Sequence, residues 1–119
     1  MLTINFVKRL IFPILIIFLL STSAFSLTDE DEQEIISVVS QQLQAFQDDD
    51  FEKAYSFASP IIKKIFPNPQ VFGEMVVGQY QAVYRPKSVN IGNVSSRGGV
   101  PSLEVYLVDP DGEFVTAIY

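Results

Sequence analysis

The first apolar segment of the chain, residues 10–20, is apolar on every side and directly follows two cations, Lys8 and Arg9. Small and polar residues come next, and no further charge occurs before Asp29. Cations, then a short apolar run, then small residues is the order of a secretory signal peptide. We therefore expect residues 1–26 to direct export to the periplasm or out of the cell.

The same segment has an alternative interpretation as an uncleaved membrane anchor. Residues 10–28 carry no charge, and a membrane-spanning helix takes roughly 17 to 25 residues. Pro13 and a polar patch weaken this alternative, whereas the small residues favour cleavage after Ser26 or Ala24. In both cases the remainder, residues 27–119, is expected to be one exported domain.

Beyond the leader, apolar residues recur at steps of three and four, the period of a helix with one buried face. Thr28 is predicted to cap the first helix, because four acidic residues follow it, where they favour the positive end of the helix dipole. Asp50 is predicted to cap a short second helix. Ser59-Pro60 and Asn68-Pro69 each place a capping residue before proline, so they predict two further helix starts.

After Arg85-Pro86 the apolar period changes from helix to strand. Gly92 interrupts the alternation, which predicts a bulge, and Gly98-Gly99 predicts a hairpin turn. A second turn follows at residues 109–112. A loop of two or four residues there would place the following apolar positions on one sheet face: Leu103, Val105, Leu107, Phe114, Thr116 and Ile118. The predicted class is α+β, with N-terminal helices packed on a curved antiparallel sheet.

The last predicted strand is still apolar at Tyr119, with no polar tail. We therefore expect the natural chain to continue with a further strand.

Charge and composition exclude several functions. The chain carries a net charge of −6, which becomes −8 when Lys8 and Arg9 leave with the leader. Such acidity disfavours nucleic acid and anionic membrane surfaces, because no basic patch replaces phosphate counterions. The sequence has no Cys and no His, which excludes disulfides, lipid attachment to Cys, Ser-His and Cys-His nucleophiles and the usual transition-metal ligands. The sequence therefore predicts no cofactor, no metal site and no catalytic set.

Two segments, Ala54–Pro60 and Tyr80–Val89, resemble a bacterial family of exported proteins classed as a domain of unknown function. That family is similar to the nuclear-transport-factor-2-like cone. The resemblance covers about residues 33–119, and Val83–Val89 is its most specific part. It implies a cone in which the sheet folds over the helices, with a further strand after the last one here. Some cone proteins are isomerases that use an Asp base with Tyr and protonated Asp as hydrogen-bond donors.

A cone of this kind encloses a pocket between helices and sheet, and aromatic residues at helical positions are the candidates to line it. Tyr84 and Arg85 are the pair of most interest, with the phenol inward and the guanidinium holding a carboxylate or phosphate at the mouth. The structural alternative is that these side chains only pack and bond locally. The candidate pocket comprises Tyr55, Phe72, Tyr80, Tyr84 and Arg85.

Two functions follow from these observations. The preferred one is a non-enzymatic module that binds a small apolar ligand or a protein partner, with a membrane contact only if the leader is retained. The alternative is a small isomerase or hydrolase of the cone type that uses Tyr and a carboxylate, for which Glu74 and Glu104 are the nearest, solvent-facing candidates. An exposed sheet edge would also support a homodimer.

Overall fold

The computed structural model describes residues 8–11 and 27–119. The predicted α+β class is confirmed, because helices precede and pack against an antiparallel sheet. Except for its residues 8–11, the expected leader lies outside the described residues. The elements in chain order are β1 (Lys8–Ile11), α1 (Asp29–Gln47), α2 (Phe51–Ser56), α3 (Pro60–Ile65), α4 (Pro69–Gln79), α5 (Gln81–Tyr84), β2 (Ser88–Arg97), β3 (Val100–Val108) and β4 (Phe114–Ile118).

The four predicted helix starts are confirmed, and each is held by a side-chain cap. Thr28 Oγ1 accepts the N–H of Asp31 at 3.1 Å, and the Asp31 carboxylate accepts the N–H of Thr28 at 3.1 Å, which completes a capping box. Asp50, Ser59 and Asn68 each accept the N–H of the residue three positions later. These short polar side chains satisfy amides that would otherwise lack partners at a helix N-terminus.

The strand order is β1-β4-β3-β2, with antiparallel pairing throughout β2, β3 and β4 and parallel pairing of β1 with β4. The predicted bulge is confirmed by a register shift between Ile91 and Val94. A Cβ atom on Gly92 would lie 2.6 Å from the Glu104 carbonyl oxygen, so glycine permits this close approach. Gly98 and Gly99 both have positive φ, as a tight hairpin turn requires.

The predicted register of β3 with β4 is wrong by one residue. Val105 pairs with Ala117 and Leu107 with Val115, so odd-numbered residues of β4 face the helices instead of Phe114, Thr116 and Ile118. The cause is an odd loop length. The N–H of Asp109 donates to Glu113 O at 2.8 Å, which leaves three residues in the loop, ending at Gly112 with φ +89°. Changing the loop from an even to an odd length exchanges the two faces of the strand.

The core lies between the helices and the inward face of the sheet. Its largest fully buried side chains interdigitate across that space, as expected of a protein interior packed at crystal-like density. Gln42 is the polar member, and its Nε2 donates to Ala54 O at 3.0 Å, joining α1 to α2. Among residues 8–11 and 27–119, none of the helices combines the length and apolar character that a membrane span needs. The fully buried side chains are Gln42, Phe46, Phe72, Val76, Val83, Leu103, Val105 and Leu107.

Candidate functional site

Helix α1 ends in a tight turn that presents Asp49. Asp49 has φ +56°, in the left-handed region that Asp and Asn tolerate better than most residues. The N–H of Asp49 donates to Phe46 O at 3.1 Å and that of Asp50 to Ala45 O at 2.8 Å, so the turn satisfies carbonyls at the end of α1. The turn leaves the Asp49 carboxylate within reach of the end of α5.

Tyr84 and Arg85 both bind that carboxylate. The Tyr84 hydroxyl donates to Asp49 Oδ1 at 2.6 Å, and Arg85 Nη2 donates to Oδ1 and Oδ2 at 3.0 Å each. The guanidinium also lies 4.1 Å from the centroid of the Tyr84 ring. We call these three residues the Asp49 cluster. Its phenol points outward to the surface turn, instead of inward as the sequence led us to expect.

Arg85 also caps the C-terminus of α1. Its Nη1 donates to Phe46 O at 2.9 Å and to Gln47 O at 3.1 Å, carbonyls of the last helical turn. A cation at this position also interacts favourably with the negative end of the helix dipole. Because β2 begins three residues later, this side chain fixes the end of the first helix against the start of the sheet.

Within the Asp49 cluster, the pKa values of Asp49 and Tyr84 are shifted in opposite directions, each away from neutral pH. The hydrogen bond from Tyr84, with the charge and hydrogen bonds of Arg85, lowers the pKa of Asp49. The same hydrogen bond to Asp49 raises the pKa of Tyr84. Asp49 is therefore ionised and Tyr84 protonated near pH 7, whereas an efficient general acid or base has a pKa near the working pH. The arrangement is that of a structural contact, and it gives the enzymatic alternative no support.

The other candidate pocket residues are packed into the helices. Phe72 is fully buried, and its ring centroid lies 5.4 Å from that of Tyr55 and 5.9 Å from that of Phe46. The Tyr55 hydroxyl donates to Phe66 O at 2.5 Å, beyond the end of α3. Tyr80 is partly buried between α4 and α5 and packs against the core.

The structure thus brings four of the five candidates together as two pairs, Tyr55 with Phe72 and Tyr84 with Arg85. A row of aromatic rings connects the pairs, because Phe51 lies 6.4 Å from Phe46 and stacks 6.1 Å from Tyr84. These four candidates therefore pack in this row or bond at its ends; they do not converge on one enclosed space.

An open cleft of about 410 Å³ lies beside the Asp49 cluster, and sequence reasoning did not anticipate it. Two of its carboxylates already have partners, because Asp49 binds Arg85 and Asp50 accepts the N–H of Lys53 at 3.1 Å. Within the part of the chain that the structure describes, no group of three His, Cys, Asp or Glu residues is placed to hold a metal ion. The cleft is lined by Asp49, Asp50, Phe51, Glu52, Asn68, Pro69 and Gln70.

A protein-family model described as "Domain of unknown function (DUF4864)" matches residues 28–119, from the N-cap of α1 through β4. The chain belongs to the DUF4864 family. A search of curated proteins and a search of solved structures gave no match. The DUF4864 match includes every described helix and the three antiparallel strands, whereas β1 lies outside it.

In this DUF4864 domain, β4 forms a second candidate site through its backbone. Tyr119 exchanges both hydrogen bonds with Leu103, at 2.9 and 3.1 Å. Because bonding alternates along an antiparallel pair, Val115 and Ala117 also bond to β3. The N–H and C=O groups of the alternate positions, Phe114, Thr116 and Ile118, therefore point to the other side of β4.

That other side of β4 is where β1 lies. Arg9 is aligned with Thr116 and Ile11 with Ile118, in parallel orientation. The strand that completes this side of the sheet is therefore a segment of the predicted leader, outside the DUF4864 match.

Proposed function

We propose that this DUF4864 protein is an exported, non-enzymatic module that binds a protein partner by accepting a strand at the outer edge of β4. One observation carries the proposal: β1, which consists of residues 8–11 of the predicted leader, pairs along this edge. Cleavage after Ser26 or Ala24 removes β1 with the leader. With the leader gone, the outward N–H and C=O groups of β4 are open to a partner strand, provided that the further strand expected after Tyr119 pairs elsewhere.

The two edges of the antiparallel sheet differ in how well they resist pairing. Natural proteins protect exposed edges with bulges, prolines or charged residues. β2 has the bulge between Ile91 and Val94 and ends in Arg97. β4, with the sequence FVTAI, has no proline, glycine or charged residue. The unprotected edge is therefore the one that β1 covers.

The filled interior and the net charge of the domain favour a protein partner over a small apolar ligand. The space between helices and sheet is filled by side chains such as Phe72 and Leu103. The aromatic candidates pack in that interior or bond at the Asp49 cluster. The net charge of −8 for the exported domain disfavours nucleic acid and anionic membrane.

We further propose that the domain is a bacterial envelope or secreted protein with a cone fold akin to the nuclear-transport-factor-2-like proteins. Support comes from helices gathered on one face of the sheet and from the bulge in β2, since bulges bend strands and increase sheet twist. An experimental structure of the exported domain tests this: a cone requires the sheet to curve around α1, and a flat sheet would contradict it.

Export is tested by the mass of the mature protein. The full chain, with a C-terminal tag, is expressed in a Gram-negative bacterium and recovered from the periplasm or medium. We expect an N-terminus at Leu27 or Phe25. Recovery of an intact Met1 from the soluble cytoplasmic fraction would contradict export.

Strand acceptance is tested with a peptide as the probe. The exported domain is titrated with a synthetic peptide of residues 5–14, and amide exchange in β4 is followed. We expect saturable protection of β4 by this peptide and none by the same peptide with Leu10→Pro, because Leu10 in a parallel pairing donates its N–H to β4. Equal effects of the two peptides would reject strand pairing at this site.

A further inference from the structure

We infer that the strand accepted by β4 comes from a second copy of this chain, which makes the exported domain a twofold dimer with an antiparallel β4–β4 pair. The inference rests on the proposed function, because it requires that β1 leave the edge and that the further strand expected after Tyr119 pair elsewhere. It adds the identity of the partner and the register of the contact.

The backbone of β4 is complementary to itself. Its outward N–H and C=O groups belong to Phe114, Thr116 and Ile118, evenly spaced at every second residue. A twofold axis at Thr116 places Thr116 opposite Thr116 of the second copy, and Phe114 opposite Ile118 of the second copy. Each such pair exchanges both of its backbone hydrogen bonds. This register is the antiparallel one that uses all the outward groups of the strand.

The side chains fit the same register. Phe114 is 61% exposed on the face turned away from the helices. The twofold arrangement places it beside Ile118 of the second copy, and the symmetry repeats the contact. Pairs of an aromatic with a β-branched residue are among the favourable cross-strand pairs. The dimer therefore covers an exposed phenylalanine that the single domain leaves in water.

Charge does not oppose the contact locally. β4 carries no charged residue, so like charges do not face each other within the pair. Each exported domain nevertheless carries a net charge of −8, so electrostatic repulsion between the two domains weakens association. Added salt screens this repulsion and should strengthen dimerisation. An interface made mainly of one short strand is small, which is typical of weak, reversible dimers.

The leader also determines when two copies can pair through β4. In the full chain β1 pairs with the backbone groups that the second copy requires. Two copies therefore pair through β4 only after the leader has gone, which delays self-association until after export.

Sedimentation equilibrium of the exported, leader-free protein tests the inference, over concentrations from about 1 µM to about 1 mM, the range of weak complexes. We expect a monomer–dimer equilibrium that tightens with salt. Thr116→Pro should weaken dimerisation at least tenfold, because it removes an outward N–H without touching the bonds to β3. Thr116→Ala keeps that N–H and is the matched control, with dimerisation within about threefold of wild type.

A second variant covers the case in which Thr116→Pro fails to fold. Phe114→Glu changes an exposed side chain and places a charge opposite Ile118 of the second copy, so it should also give a folded monomer by circular dichroism and sedimentation. Dimerisation of a folded variant at wild-type strength would overturn the inference. So would a wild-type domain that stays monomeric throughout.

These outcomes also separate the inference from the proposed function. A monomeric leader-free domain that still binds the peptide of residues 5–14 would reject the dimer and keep strand acceptance. A domain that neither dimerises nor binds the peptide would reject both. A retained leader, seen as an intact Met1 by mass spectrometry, would mean that β1 stays on the edge, and would reject both strand acceptance and the dimer.

Discussion

Arg85 donates a hydrogen bond to each carboxylate oxygen of Asp49 at 3.0 Å, although the two residues are 36 positions apart in the chain. The same guanidinium donates to two carbonyls at the end of α1. Arg85, a candidate ligand-binding group by its sequence, therefore holds the first helix to the start of the sheet.

Replacing Arg85 with Lys should destabilise the domain, although the charge is retained. A lysine ammonium lacks the planar fork that binds both Asp49 oxygens and the α1 carbonyls together. We expect a loss of about 1–2 kcal/mol in the free energy of unfolding in urea, discounted because the side chain is 40% exposed. Lys87→Ala, a change at an exposed cation two residues away, is the control and should be near neutral. Equal stability of Arg85→Lys and wild type would reject the capping role.

The Asp49 cluster should make stability depend on pH in the acid range. The folded-state pKa of Asp49 is lowered, so its contribution is present above the unfolded pKa of about 3.9 and is lost as pH falls through the folded value. Asp49→Asn, which tolerates the same left-handed backbone, should be less stable than wild type at pH 7. The difference should shrink as the pH falls below about 4.

Urea unfolding at pH 7 and pH 3 measures this dependence. Tyr84→Phe should reduce it, because the phenol is the first cause of the lowered Asp49 pKa, whereas Glu52→Gln, at an exposed neighbouring carboxylate, should leave it unchanged. A gap between wild type and Asp49→Asn that is the same at both pH values would count against the assignment.

Two glycines of α4 should respond in opposite directions to the same substitution. A Cβ atom on Gly73 would lie 2.7 Å from Cδ1 of Phe51, whereas one on Gly78 has no heavy atom within 4 Å. Gly78→Ala should stabilise the domain by about 0.5–1 kcal/mol through helix propensity. Gly73→Ala should destabilise it by about 1–3 kcal/mol through overpacking against the ring. Thermal unfolding of both variants is the measurement, and a stabilised Gly73→Ala would show that Phe51 does not pack as described.

Helix starts were predictable because their causes are local. Ser59-Pro60 and Asn68-Pro69 place the cap and the proline side by side, so no distant residue is needed. The register of β4 was not predictable from residue types alone, because Asp109 Oδ1 accepts the N–H groups of Asp111 and Glu113 and so sets an odd loop length. The usable signal in the sequence was Gly112, because three-residue hairpin loops commonly end in a residue of left-handed conformation, which glycine adopts readily.

The Asp49 cluster was only partly visible in the sequence. Tyr84 and Arg85 are neighbours in the chain, but their shared partner Asp49 lies 36 residues from Arg85 and at the end of a different helix. The acidic run before the cap of α2 was a usable signal, since Asp is among the few residues that accept the left-handed turn after a helix. The pairing of β1 with β4 had no such signal, because a non-local strand contact depends on the whole sheet.

Hydrogen exchange along β4 tests the central claim, that the edge is covered in the full chain and freed when the leader is lost. The full chain and the leader-free domain are compared at a dilution where the latter is monomeric. We expect the amides of Thr116 and Ile118 to be protected in the full chain and to exchange rapidly in the leader-free domain, while Val115 and Ala117 stay protected by β3 in both. Equal exchange of Thr116 and Ile118 in the two proteins would contradict the account.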